Sequence, residues 1–428
     1  MSIPETITSE LSSLLFRELL LSQGCTEPAA IAYAGALCRE KLGVFPEHVR
    51  LSCSGNLFKN AKSAIIPNTG RLKGLAAAVI AGIVGGDAEA QLEVLDSITP
   101  NHLPQIHQLL NSDFCEVLLM DSSDNLHILV EAACGLQNAS VEICHTHTHV
   151  VKIIKNGQVV FESQQDTAGT QSHVPTDILT PQNICAFADD ADLSGTLGDL
   201  LRNQLAYNVA ICEEGMCNDW GAGIGKLMIS ESSDLEHLAC AFAAAGSDAR
   251  MSGCAMPVVI NSGSGNQGIT VTAPVYIYAR ALGVGQDRLL RALIVSNLMA
   301  IYQKHMIGSL SAYCGAVSAG SGAGAAITYL KGGTPAQVAH TFANASASVS
   351  GILCDGAKPS CAAKIACSVQ AGILAHKMAM SGNDLQTGDG VVGRTPEETI
   401  LSIGHLAKEG LNKIDKLILN VMYSSISQ

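Results

Sequence analysis

The chain has 428 residues, a formal net charge of −13 and only 15% charged residues, against about 25% in an average soluble protein. That acidity argues against nucleic acid as a partner, and the length allows two or three domains with ample buried core. No apolar run reaches the ~18 residues of a membrane span, the best being residues 75–84 between glycines. Abundant small residues and scarce aromatics predict tightly packed helices and a homo-oligomer that hides further apolar surface. The acidic N-terminus has no basic n-region of a signal peptide, so a cytoplasmic location is expected. In that reducing compartment the 15 cysteines point to thiols, metal ligands or catalysis rather than disulfides. Most are still expected to be small core residues, among them Cys38, Cys53, Cys115, Cys134, Cys144, Cys185, Cys240 and Cys254.

Residues 7–22 place Leu11, Leu14, Leu15 and Leu19 on one helical face and stop at Ser22-Gln23-Gly24. Thr26-Glu27-Pro28 then opens an Ala-rich helix, which puts Cys25 just ahead of a helix N-terminus. A thiolate stabilised there can act as base or nucleophile; the plain alternative is a loop cysteine packed under the turn. From residue 47 the pattern changes. Residues 49–53 read as a strand, 56–68 as a polar connection, 74–84 as a small-residue helix, and 114–120 with 126–132 as a strand pair. Residues 141–154 and 159–162 form a hairpin around Asn156-Gly157. Within it, His145, His147 and His149 would share one strand face. A zinc site is conceivable there, but same-face neighbours on one strand seldom converge on a tetrahedral ion, and a polar face closing over a substrate is preferred.

A polar linker, residues 164–175, leads back to helices at 200–212. Cys212 and Cys217, near Glu213 and Glu214, match no ligand spacing and are read as core. The loop Ser262-Gly263-Ser264-Gly265-Asn266-Gln267-Gly268 exposes successive backbone amides that can cradle phosphate or carboxylate. Asn266 and Gln267 add neutral hydrogen-bonding groups suited to an amino acid. Helices follow at 288–306, 335–353 and 396–416, and Cys314 opens a Gly/Ala/Ser-rich segment that extends to residue 326. The stretch from Cys354 to Cys361 reads as a joint, with Gly356 stopping one helix and Pro359 opening the next. Seven residues of continuous helix would hold these thiols ~10 Å apart. A joint lets them meet, and Cys361 at a helix start favours its thiolate. Cys367 is a rival ligand that the helical wheel turns towards the core. The whole predicts an α+β chain, a mainly helical domain of residues 1–46 and 166–428 with an inserted α/β domain at 47–165.

Cys314, Cys354 and Cys361, separated by thirty-nine and six residues, suit an iron–sulfur cluster with one iron left open. Together with Gly-Cys-Thr-Glu-Pro at 24–28 and the 262–268 loop, this set resembles the L-cysteine desulfidase family, related to the alpha subunit of iron–sulfur L-serine dehydratases. The resemblance runs from about residue 20 to the end. It implies a [4Fe–4S] cluster on Cys314, Cys354 and Cys361, Cys25 as proton acceptor, and elimination from L-cysteine or L-serine to pyruvate and ammonia. Ser262, Gly263, Ser264, Gly265 and Asn266 would hold the substrate carboxylate, with Glu27 as reserve base. Lys358 could offset cluster charge or simply be solvated. The tail at 424–428 lacks the cysteine that caps the open iron in some dehydratases. Two other readings stay open: a pyridoxal-phosphate ammonia-lyase with the loop on phosphate, and a non-enzymatic metal- or amino-acid-binding regulator.

Overall fold

The computed structural model describes residues 3–122, 124–163, 178–308 and 311–424; the expected linker at 164–175 lies outside them. In chain order come α1 (Glu5–Glu18), β1 (Leu21–Gln23), α2 (Thr26–Leu42), β2 (His48–Ser54), α3 (Gly55–Ala61), α4 (Leu75–Gly85) and α5 (Leu103–Leu110). Next are β3 (Cys115–Met120), β4 (His127–Cys134), β5 (Gln137–Cys144), β6 (Val150–Lys155) and β7 (Gln158–Glu162). The rest is helical apart from one short strand: α6 (Pro181–Asp190), α7 (Thr196–Cys217), α8 (Ile224–Glu231), α9 (Leu235–Met251), β8 (Pro257–Val259), α10 (Gly265–Leu282), α11 (Gln286–Ile307) and α12 (Gly315–Leu330). The last helices are α13 (Pro335–Val349), α14 (Cys361–Ser381), α15 (Pro396–His405) and α16 (Asn412–Ser424). The fold is α+β and dominated by helices.

Two large hydrophobic cores, with smaller satellite clusters, hold the described residues. The larger is helical: α12 lies among α10, α11, α13 and α14, and α9 packs on α7, α8, α10 and α14. Small residues let these helices meet backbone to backbone. A Cβ added to Gly372 on α14 would stand 2.2 Å from the Gly320 carbonyl oxygen on α12, so a side chain there would force the pair apart. The second core lies between a six-stranded sheet, order β3-β2-β4-β5-β6-β7, and the helices α2 and α4. Only β2 and β3 run parallel, and Val49 and Leu51 of β2 alternate with exposed His48 and Arg50 as expected for a sheet covered on one face.

Several local expectations change. The first helix ends at Glu18, because residues 21–23 leave it to pair antiparallel with residues 257–259. The connection at 56–68 contains α3. The strands at 115–120 and 127–134 are not partners, since β2 lies between them. Residues 145–149 are not strand but the turn between β5 and β6, and His145 takes a left-handed φ of 69° that breaks the ladder. The helix after Pro335 stops at Val349, so Gly356 is not its end; its φ of 94° and a would-be Cβ 2.4 Å from the Lys59 carbonyl oxygen demand glycine in an extended joint. Helix α14 does begin at Cys361. Cys367 and Cys217 are exposed rather than core, and Cys115 and Cys134 are half-buried. The 396–416 helix is broken by a wider turn between α15 and α16.

Candidate active site

Two short backbone pairings bring the sequence motifs together. β1 leads into Cys25 and β8 into the glycine-rich loop, and their antiparallel pairing (Leu21 on Val259, Gln23 on Pro257) ties the two segments together. Thr26 Oγ1 donates to the Gly263 carbonyl at 2.9 Å and fastens one motif to the other. In the second pairing, Tyr313 bridges Leu353. The Cys314 amide donates to Ile352 (3.1 Å) and the Cys354 amide to Ala312 (2.7 Å), which makes two distant cysteines neighbours. Cys361, the first residue of α14, donates its amide to Lys358 at 2.9 Å.

These walls enclose a cavity of about 940 Å³. That lies at the upper end of small-molecule sites and leaves room for a thiolate-held group beside a small ligand. Cys25, Ser262, Gly263, Ser264, Asn266, Cys314, Cys354 and Cys361 all line it. Gly265 stands behind them, under the side chain of Arg250. The turn at 145–149 contributes His145, His147 and His149 to the cavity wall. On that side Asp124, His127 and Cys144 also lie together. Both ring nitrogens of His127 are taken, one by Glu142 (2.8 Å) and one by Ser122 (2.9 Å).

The three thiols differ in charge state. A hydrogen bond from the Cys314 thiol, with help from Lys59, the Gly356 amide and Lys364, outweighs burial and holds Cys354 at about 6. The same bond, followed by burial, pushes Cys314 well above its ordinary range. Burial also raises Cys361, against the backbone and charge of Lys358. Lys59 and Lys304 are buried lysines beside this group, and burial lowers Lys304 against the pull of Cys354 and Cys314. Lys59 pairs with Asp415 of α16, whose second oxygen accepts the Ala312 amide at 3.0 Å. Three soft sulfur donors, Cys314 from one segment and Cys354 and Cys361 from the two ends of one joint, with lysines nearby, fit a thiolate-ligated iron–sulfur or other soft metal centre. Lys358 is tied to Asp355 rather than solvated, and Lys364 shares that carboxylate.

Cys25 belongs to a small buried cluster against which Cys361 packs, and its thiol donates to Glu27 Oε2 at 2.9 Å. Burial and the Glu27 carboxylate push Cys25 well up, and together they override the helix start that should lower it. Burial works to raise Glu27 as well, but His147, the Cys25 thiol and Arg250 hold it below its ordinary value. The resting pair is therefore a neutral thiol on a carboxylate. Asn60 Nδ2 donates to Glu27 Oε1 at 3.1 Å, and burial lowers His147 despite the nearby Glu27 charge.

Arg250, Asn60, Lys59, Lys304 and Asp415 were not singled out from the sequence. Arg250 had a legible signal, because Asp248 and Arg250 are charges at the end of a helix that is otherwise Ala-rich and buried. Both are buried in the structure, and Asp248 accepts the amides of Ala222 and Ile224.

Among the described residues, no helix is long and apolar enough to cross a membrane. Residues 89–420 match the model of the serine dehydratase alpha chain, a span that takes in the glycine-rich loop and the three thiols and leaves out Cys25. A UPF0597 protein of Lachnoclostridium phytofermentans is 45% identical over 414 residues, covering 96% of this chain and 99% of the relative. One from Desulfitobacterium hafniense is 45% identical over 416 residues (97% and 96%), and one from Treponema denticola 41% over 431 (99% of each). With a family match over most of its length and relatives aligned end to end, the chain belongs to the serine dehydratase alpha chain family.

Proposed function

We propose that the chain is a lyase that removes the β-substituent of L-cysteine, or of L-serine, giving pyruvate, ammonia and sulfide or water. The observation that carries this reading is the meeting in one cavity of Cys25, the glycine-rich loop, Cys314 and the two thiols of the 354–361 joint. Cys314, Cys354 and Cys361 would hold a [4Fe–4S] cluster, which when bound supplies a Lewis-acidic open iron. Cys25 takes the Cα proton, and the 2.9 Å bond to Glu27 gives its own thiol proton a place to go first. The Cα–H electron pair becomes the Cα–Cβ double bond as the Cβ–S or Cβ–O bond breaks. The released aminoacrylate hydrolyses to pyruvate and ammonia. The Ser262 to Asn266 turn, at the positive end of α10, lies where a carboxylate would be held.

Anaerobic purification tests the reading. A brown protein absorbing broadly near ~400 nm, with sulfide release from L-cysteine that air abolishes, is the expected result. A pyridoxal band trapped by borohydride, or a colourless protein that turns over neither amino acid, overturns it. Cys314→Ala, Cys354→Ala and Cys361→Ala should lose iron. Cys25→Ala should keep iron and lose turnover by on the order of 10²- to 10⁴-fold. Comparing steady-state rates for L-cysteine and L-serine decides between the two substrates.

A further inference from the structure

Arg250, Gln267 and Asn60 are 2%, 5% and 7% exposed, line the cavity, and each keeps one polar atom without a partner. Those atoms are Arg250 Nε, Gln267 Oε1 and Asn60 Oδ1. Orphaned groups this deeply buried are unfavourable unless a ligand completes them. The bond from Asn60 Nδ2 to Glu27 fixes which end of that amide is left over. Arg250 Nη1 donates to Asn266 Oδ1 at 3.1 Å, laying the guanidinium across the start of α10. A Cβ at Gly265 would stand 2.3 Å from Arg250 Nε, so the glycine makes room for this approach. The Gln267 amide lies against Gly315, next to Cys314; a Cβ there would stand 2.5 Å from Gln267 Cδ.

A planar cation beside a helix N-terminus attracts a carboxylate, and unpartnered carbonyl oxygens, one of them on the Asn60 amide that is bonded to Glu27, attract an ammonium. We propose that this set recognises the zwitterionic head of an α-amino acid. Arg250 and the first-turn amides of α10 take the carboxylate, Asn60 Oδ1 and Gln267 Oε1 take the ammonium, and the ligand's side chain faces the thiols. The assignment rests on the reading of this cavity as the catalytic centre. It makes both charged groups of the head necessary, so amines and simple carboxylic acids with the same side chain are poor ligands.

The test uses the anaerobic, iron-loaded full chain with L-cysteine as substrate. The inhibitors are cysteamine, which lacks the carboxylate, and 3-mercaptopropionate, which lacks the ammonium. Arg250→Lys keeps the charge but loses the fork. It should raise the KM for L-cysteine and the inhibition constant of 3-mercaptopropionate on the order of 10- to 100-fold. The kcat, the visible spectrum and cysteamine inhibition should change far less. Gln267→Leu should give the converse pattern, weakening cysteamine and sparing 3-mercaptopropionate. Gly265→Ala retains the arginine but displaces it, and should reproduce the Arg250→Lys pattern if that variant does not fold. Equal weakening of both inhibitors in Arg250→Lys, or unchanged kinetics in Gly265→Ala, overturns the assignment. Arg250-dependent binding of L-alanine by a protein that turns over neither L-cysteine nor L-serine would leave the recognition site standing and remove the lyase reading. Turnover with an Arg250-independent KM does the reverse.

Discussion

The two walls of the cavity are built by different means. Cys314 and Cys361 stand at the starts of α12 and α14, which touch backbone to backbone through Gly320, Gly324 and Gly372. The wall supplied by the sheet carries its side chains on turns: Asp124 and Asn125 between β3 and β4, and His145, His147 and His149 between β5 and β6. A set of metal donors needs fixed separations, and helices in contact along their backbones provide them. A wall that meets a passing substrate has no such need, and turns on a sheet edge can carry polar groups with less demand on packing.

The largest effect should come from separating Lys59 and Asp415, which brace the thiol wall. Asp415→Asn keeps an oxygen for the Ala312 amide but leaves the buried ammonium without its counter-charge, at a cost of about 3–5 kcal/mol. Urea unfolding measures it; a midpoint equal to wild type would mean that water or another acid serves Lys59. A pH effect contrasts a histidine sealed among helices with those on the cavity turn. Burial, with Lys331 and Lys377 nearby and Glu236 opposing, lowers His376 from 6.5 to about 4. The unfolded chain then binds the extra proton first, so stability is complete above pH 6.5 and falls as pH drops towards about 4. The loss approaches ~3 kcal/mol and should vanish in His376→Gln, compared by unfolding at both ends of that window.

Next comes Gly372→Ala, whose methyl must part α12 from α14. A net loss of about 1–3 kcal/mol should be accompanied by lower iron per chain, because Cys361 moves with its helix. Full iron content in a destabilised variant would show that the helix seam does not set the thiol spacing. The smallest effect belongs to the sheet. Asn156 and Gly157, at φ 49° and 77°, form the exposed hairpin turn, so Gly157→Ala should lose about 1 kcal/mol with iron content and KM unchanged.

What was legible in the sequence was mostly local. The start of α2 after Cys25, the start of α14 at Cys361 and the hairpin at Asn156-Gly157 follow from caps and turn chemistry acting over a few residues. The thiol set and the glycine-rich loop were legible as motifs. Strand order was not, because inserting β2 between β3 and β4 is a choice among distant partners with similar alternation. The histidine run read as a strand because its alternation has the right period; one left-handed residue, His145, turns it into a loop. The neutral state of Cys25 was also hidden, since the dipole argument is local while burial and Glu27 decide the outcome. Asn60 looks ordinary in its own segment, and Arg250, a conspicuous charge on an Ala-rich helix, acquires its partners only in three dimensions. The inserted unit at 47–165 stays our proposal for the domain division, with α2 packing on it from outside that interval.

The Tyr313–Leu353 bridge bears on the order in which the protein is made. It joins residues forty apart, and the pairing of Leu21 with Val259 spans more than half the chain. Contacts of such separation form late, after the helices that carry them have found one another. Neither pairing uses a cysteine side chain, and the seam between α12 and α14 is complete without one. The contacts that set out the thiols are thus made between backbones and not through sulfur, unlike those of small zinc domains, whose fold depends on the ion itself.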